Sequence, residues 1–134
     1  MGVVYHANYL VWFEIGRVEL MRAMGFDYGT LEREEGCLIA VVEATARYRL
    51  PARYDEELVI RAWVSGARSS LIKFNYSIVR AGDGALLCTG ETTHVVVGRD
   101  MKKRRLPARY VAAFRAAVTD EVERSGVQEM NAAG

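Results

Sequence analysis

Few side chains in this 134-residue chain could carry chemistry. Two histidines, His6 and His94, and two cysteines, Cys37 and Cys88, stand at unrelated positions. Four such residues without a shared spacing do not make a metal site. No glycine-rich phosphate loop, Cys-x-x-Cys pair, His-Glu-x-x-His or Gly-x-Ser-x-Gly elbow occurs. What remains is the opening Gly2-Val3-Val4-Tyr5-His6-Ala7-Asn8-Tyr9, directly before an apolar run, and one carboxylate inside that run, Glu14. A carboxylate withdrawn from water is a candidate general base, because desolvation disfavours the charged form. The structural alternative for Glu14 is an ion pair with Arg17 at i, i+3. His94 falls mid-strand and reads as a packed strand residue, and the two cysteines read as small core residues.

These residues need elements to hold them. Residues 9–15, Tyr-Leu-Val-Trp-Phe-Glu-Ile, are broken only by Glu14, and Val18, Leu20, Met21 and Met24 continue the pattern among Arg17, Glu19 and Arg22. Length and helix formers predict a helix, capped by Asn8 and stopped at Gly25. Apolar on nearly every side at its start, it should be buried. Tyr28 to Glu35 reads as a second helix ended by Gly36. Four segments with period-two alternation follow, at Leu38–Tyr48, Leu58–Ser65, Ile72–Ile78 and Ala85–Gly98. Arg68-Ser69-Ser70 and Gly82-Asp83-Gly84 supply hairpin turns, so the last three strands should form an antiparallel meander. Pro107 should open a closing helix at its favoured first position, with the stripe Val111, Phe114, Val118 and Val122. One domain over 1–124 and a flexible tail over 125–134 are expected. Arg-Leu-Pro-Ala-Arg-Tyr occurs at 49–54 and again at 105–110, with different flanks, and reads as coincidence rather than a repeat. A helix followed by a sheet long enough to wrap it is a two-layer α+β fold. The sheet covers one face of that helix, so a partner subunit is expected on the other.

Composition narrows the partners. Hydrophobic residues at 51% and charged residues at 26% fit one globular domain with its own core. Lys+Arg number 18 and Asp+Glu 17, so no whole-molecule field draws in nucleic acid or an anionic membrane. The sequence shows no apolar signal core and no membrane-length apolar stretch, which with unpaired cysteines predicts a cytoplasmic protein. The densest basic run, Arg99, Lys102, Lys103, Arg104 and Arg105, reads as a solvated turn. It lacks the interleaved aromatics of a nucleic-acid patch.

The opening motif, with Trp12-Phe13-Glu14 and Arg17-Val18-Glu19, resembles the hotdog-fold acyl-CoA thioesterases of the 4-hydroxybenzoyl-CoA thioesterase type. The similarity continues through Tyr48 to Leu58 and Gly90-Glu91-Thr92, as far as Leu106-Pro107. It implies an α+β hotdog fold, a long central helix wrapped by an antiparallel β-sheet. It also implies hydrolysis of a small or medium acyl-CoA thioester at the interface of a homodimer or homotetramer, with no metal and no cofactor. Attack on the thioester carbonyl builds negative charge on its oxygen, which backbone N–H groups at a helix start can hold. The resemblance puts the His6 amide at that oxygen, a donor of a kind worth about 2.7–4 kcal/mol, with Val4, Tyr5 and Asn8 shaping the pocket. Cations for the phosphates of coenzyme A are implied at the hairpin of Arg68, Ser69, Ser70 and Lys73. The family pattern also sets an Asp two residues before the position of Met1, on a first strand that this sequence does not show. The resemblance therefore implies that Met1 is an internal methionine with an Asp codon upstream. Two alternatives stay open: a non-catalytic module that holds an acyl thioester, and an inactive form lacking that Asp.

Overall fold

A computed structural model describes residues 7–119 and 126–131. Helix α1 spans Ala7–Ala23 and α2 Tyr28–Glu35. Strands β1 Leu38–Tyr48, β2 Glu57–Arg68, β3 Leu71–Arg80 and β4 Leu86–Val97 follow, then α3 Ala108–Ala117 and β5 Gly126–Asn131. The strands form one sheet in the order β1-β4-β3-β2-β5, every neighbouring pair antiparallel. The expected meander of β2, β3 and β4 is therefore present, and β1 reaches the far side of β4 by crossing the sheet end.

Local chemistry sets the element ends. Asp27 caps α2 by accepting the Thr30 N–H at 2.8 Å, and Gly36 ends it by donating back to Glu32 and Leu31 carbonyls. The β2–β3 hairpin closes at the pair Arg68 and Leu71, leaving Ser69-Ser70 as its two-residue turn. In the β3–β4 turn, Asp83 Oδ1 accepts the Ala85 N–H at 3.0 Å.

Helix α1 lies across the inward rows of β2 and β3. Tyr9, Trp12, Phe13, Leu20 and Met21 are buried against Leu58, Ile60, Ala62 and Val64 on one strand and Ile72, Phe74, Tyr76 and Ile78 on the next. Two glycines permit the closeness of this contact. A Cβ on Gly16 would lie 2.9 Å from Ile60 Cγ2, and one on Gly90 would lie 2.3 Å from the Phe13 ring and 2.9 Å from the Thr45 carbonyl oxygen. Phe13 in turn stacks on Tyr76 with centroids 4.5 Å apart.

A polar chain threads this core. The buried guanidinium of Arg17 donates to the Tyr28 and Tyr76 hydroxyls, each at 3.0 Å. Tyr76 shares a 2.6 Å hydrogen bond with Thr92, whose Oγ1 is 2.8 Å from His94 Nε2. His94 is 1% exposed, and burial together with the Arg17 charge pushes its pKa down to about 3. It packs edge-on to Phe74, as the reading of a packed strand residue expected. Cys37 and Cys88 are buried thiols, Cys88 pushed up to about 11 by burial.

Several expectations are corrected. Asn8 lies inside the first turn of α1 rather than at its cap, because Ala7, a strong helix former, is already helical. The helix is not buried all round: Leu10 and Val11 are 45% and 52% exposed, since the sheet covers only one side. Pro107 caps α3 instead of opening it, and the buried stripe is Tyr110 and Phe114. Val118 lies past the helix end and bridges to Val64, while Val122 is outside the described residues. The segment read as a flexible tail contributes β5, which pairs with β2 from Glu57 to Ala62. An unpaired strand edge offers backbone groups that such a segment satisfies. A first strand ahead of α1 falls outside the described residues.

Two predictions follow from this packing. Gly90→Ala should cost about 3 kcal/mol of unfolding free energy in urea, because neither the Phe13 ring nor the β1 backbone can yield. An unfolded His94 takes up its proton near pH 6.5, the folded one only near pH 3. Its contribution is thus intact above pH 6.5 and is lost as pH falls, at about 1.4 kcal/mol per pH unit. Urea titrations at pH 7 and pH 5 should differ by about 2 kcal/mol through this group, and His94→Gln should remove that part.

Candidate active site

The leading N–H groups of a helix have no partner within it and form its positive end. Val4, Tyr5 and His6 lie outside the described residues. Asn8 is half-buried in the first turn. Tyr9 is 3% exposed, and its hydroxyl accepts the N–H of Ala52 at 3.0 Å. Burial raises the Tyr9 pKa, so the hydroxyl stays neutral. Its ring meets Trp12 and Tyr48 edge-on, at 4.9 and 5.0 Å. The segment after β1, with Ala52 fully buried and Leu50 and Tyr54 exposed, is thereby strapped beside the start of the helix. In the sequence Tyr9 closes the opening motif and begins the apolar run 9–15. A lone hydroxyl in an apolar run, needing a hydrogen-bond partner once buried, was the available signal.

Glu14 sits two turns further along, exposed, on the same side of α1 as Leu10, Val11 and Val18. The expected ion pair with Arg17 does not form, since that guanidinium is turned into the core and held by Tyr28 and Tyr76. The withdrawal from water that would make Glu14 a base is also absent within one chain. Only a body laid over this face of α1 would supply it.

The hairpin residues divide. Arg68, Ser69 and Ser70 line a cavity of about 350 Å³ together with Leu71, Val95, Lys103 and Arg105. Lys73 is not among them; it stands on the outer face of β3, 3.9 Å from Glu91. Lys103 and Arg105 belong to the run read as a solvated turn; both are exposed as that reading expects, and the fold adds a shared direction. Backbone bonds from Leu106 to the Ser69 carbonyl and from Arg104 to the Val96 carbonyl fold the run back over the hairpin. Residues 103 and 105 then share one side of an extended segment, while Arg104 points to the other and donates to the Gly36 carbonyl at 3.1 Å. Arg99 likewise donates to the Glu32 carbonyl at 2.8 Å. Two arginines thus compensate the negative end of α2, and three cations, Arg68, Lys103 and Arg105, face one cavity. Among the described residues, no group of three or more His, Cys, Asp or Glu could hold a metal ion, and no helix is long and apolar enough to cross a membrane.

A long helix wrapped by an antiparallel sheet is the hotdog architecture, and the comparisons agree. A model of the thioesterase-like superfamily matches residues 1–117. The acyl-CoA thioester hydrolase YbgC of Escherichia coli is 36% identical over 115 residues, covering 85% of this chain and 84% of that one. Among solved structures, the TT1821 protein of Thermus thermophilus superposes with a TM-score of 0.80 at 30% identity, over 90% of this chain and 88% of the other. A DHNA-CoA thioesterase from Staphylococcus aureus does so with a TM-score of 0.76 at 30% identity, over 87% and 76%. The chain belongs to the thioesterase-like superfamily.

Tyr9→Phe keeps the ring and its edge contacts but leaves the buried Ala52 N–H without an acceptor. It should cost about 1–3 kcal/mol, read by urea unfolding, with faster hydrogen exchange at the Ala52 amide.

Proposed function

We propose that this chain is a thioester hydrolase acting on small or medium acyl-CoA thioesters. One observation carries the reading: a superfamily hotdog domain whose central helix begins at the opening motif, with a three-cation cavity on the same protomer. In this mechanism the thioester carbonyl lies at the start of α1, its oxygen meeting the His6 amide and the positive helix end. Tyr5, Val4 and Asn8 shape the surrounding pocket. Arg68, with Ser69 and Ser70, receives the phosphates of coenzyme A, joined by Lys103 and Arg105; Lys73 stands at the margin of that path. A carboxylate activates the water that attacks the carbonyl, the C–S bond breaks and coenzyme A leaves as its thiolate; within this sequence Glu14 is the candidate for that carboxylate.

The working unit in this reading is a homodimer or homotetramer. Leu10, Val11 and Glu14 on α1, with Val41 and Val42 on the edge strand β1, are exposed in one chain. A second copy laid over α1 would bury Leu10 and Val11 and take Glu14 out of water, completing the site between subunits, and one along the β1 edge would cover Val41 and Val42. The reduced thiols Cys37 and Cys88 fit a cytoplasmic setting.

The test is release of free thiol from a panel of acyl-CoA substrates of increasing acyl length. Saturable turnover is expected, with Arg68→Glu raising KM about tenfold at nearly constant kcat. If Glu14 is the base, Glu14→Gln should lower kcat by about 10²–10⁴-fold. An unchanged kcat in Glu14→Gln would take the role of base away from Glu14. Binding of acyl-CoA without thiol release would establish the non-catalytic module instead.

A further inference from the structure

The sheet face turned away from α1 carries a second cavity, of about 310 Å³, that the proposed reaction does not use. Four cross-strand partners traverse it: Thr45 on β1, Glu91 on β4, Asn75 on β3 and Trp63 on β2. Their sequence neighbours Ala62, Val64, Phe74 and Tyr76 are buried under the helix, so by the strand alternation these four project outward. Arg47 and Arg49 border the cavity from the β1 side.

An outward sheet face is ordinarily a lattice of cross-strand polar pairs, and this one departs from that pattern in three ways. Among the described residues neither Arg47 nor Arg49 has a side-chain partner, and the neighbouring acid Glu91 leans instead towards Lys73 at 3.9 Å. A tryptophan, half-buried, occupies the middle of β2 where an apolar ring has no core to join. The Asn75 Oδ1 is buried with no hydrogen-bond partner, and a turn about its soft terminal torsion would present the amide to the cavity. The elements are an aromatic platform, an amide edge beside it and two open guanidinium forks. The strands bearing the platform and the forks are three spacings apart, about 14 Å, a gap that two long arginine side chains shorten.

We propose that this outer face binds a nucleoside phosphate, with the base stacked on Trp63, its polar edge read by Asn75 and the phosphate held by Arg47 and Arg49. Stacking of a base on an aromatic ring and forked contacts from arginine to phosphate are the two strong terms in such recognition. The cavity volume lies at the small end of ligand sites, about 300–1,000 Å³, which suits one nucleotide and not a polymer. The site shares no residue with the Arg68 cavity and stands apart from the proposed hydrolysis.

Trp63 fluorescence provides the measurement, because the other tryptophan, Trp12, is 4% exposed and shielded from added ligand. The probes are ADP, adenosine 3′,5′-bisphosphate and coenzyme A, with adenosine and inorganic phosphate as partial ligands. Saturable quenching below millimolar concentration is expected, at least tenfold weaker for adenosine or phosphate alone. Arg47→Glu with Arg49→Glu should weaken it at least tenfold, and Arg68→Glu should leave it unchanged, circular dichroism confirming that each variant is folded. Equal binding of ADP and coenzyme A would identify a free nucleotide as a source. Preference for coenzyme A and the bisphosphate over ADP, kept in Arg68→Glu, would identify the nucleotide end of a second coenzyme A, separate from the substrate held at Arg68. Absence of saturable quenching with every probe overturns the proposal, as does quenching that survives the double arginine variant. Sedimentation showing two copies joined through this face, with Trp63 closed to all probes, overturns it as well.

Discussion

The structure depends on how closely α1 can approach the sheet. The Phe13 ring fills the space that any side chain at position 90 would need, and the bare Gly16 lets the helix backbone settle onto Ile60 and Ala62. Interiors are packed at crystal-like density, so a contact this tight tolerates no added methyl group. It fixes the depth of the helix and brings Phe13 into a stack with Tyr76. The first turn of α1 therefore meets Tyr48 and Ala52 at a set height above the sheet.

At that depth a cation must be buried, and the core is arranged around it. Arg17 is 8% exposed, and its described partners are hydroxyls rather than carboxylates. Burial raises the pKa of both Tyr28 and Tyr76, so they remain neutral and accept from the guanidinium. Burying a charge without hydrogen bonds would be strongly unfavourable. The requirement to satisfy Arg17 thus links α1 to α2 through Tyr28 and to β3 through Tyr76. The same chain continues to Thr92 and His94 on β4. Packing sets how near the helix lies, and this polar chain sets where along the sheet it stops.

The basic loop after β4 shows how one stretch of charge is divided between stability and binding. Arg99 and Arg104 satisfy carbonyls at the end of α2, where cations offset the negative pole of a helix. Lys103 and Arg105, on the opposite side of the same extended segment, face Arg68 across a cavity. Alternation along the extended chain separates Arg105 from Arg104, while Lys103 borders both the Arg68 cavity and the pocket beside Gly36 and Arg104. Arg68 alone would be a surface cation; with the loop folded over the hairpin it becomes one of three directed at a single space.

Much of the frame was legible in the residues themselves. Period-two alternation located four strands, Gly36 ended α2 where the sequence placed its stop, and the turns at Ser69-Ser70 and Gly82-Asp83-Gly84 joined the strands as read. Those features are local, governed by neighbouring φ/ψ preferences and by which faces alternate. The opening motif likewise carries the resemblance to the superfamily in its residue types alone. What sequence alone left undecided was which distant groups meet. Glu14 and Arg17 are three residues apart on one helix, yet the core hydroxyls, 11 and 59 residues away along the chain, take the guanidinium. Lys103 joins Arg68 because a loop folds back onto a hairpin, and Gly126–Asn131 becomes a strand because β2 has an open edge. Such choices compare energies between segments that only the folded chain brings together, and no local preference encodes them.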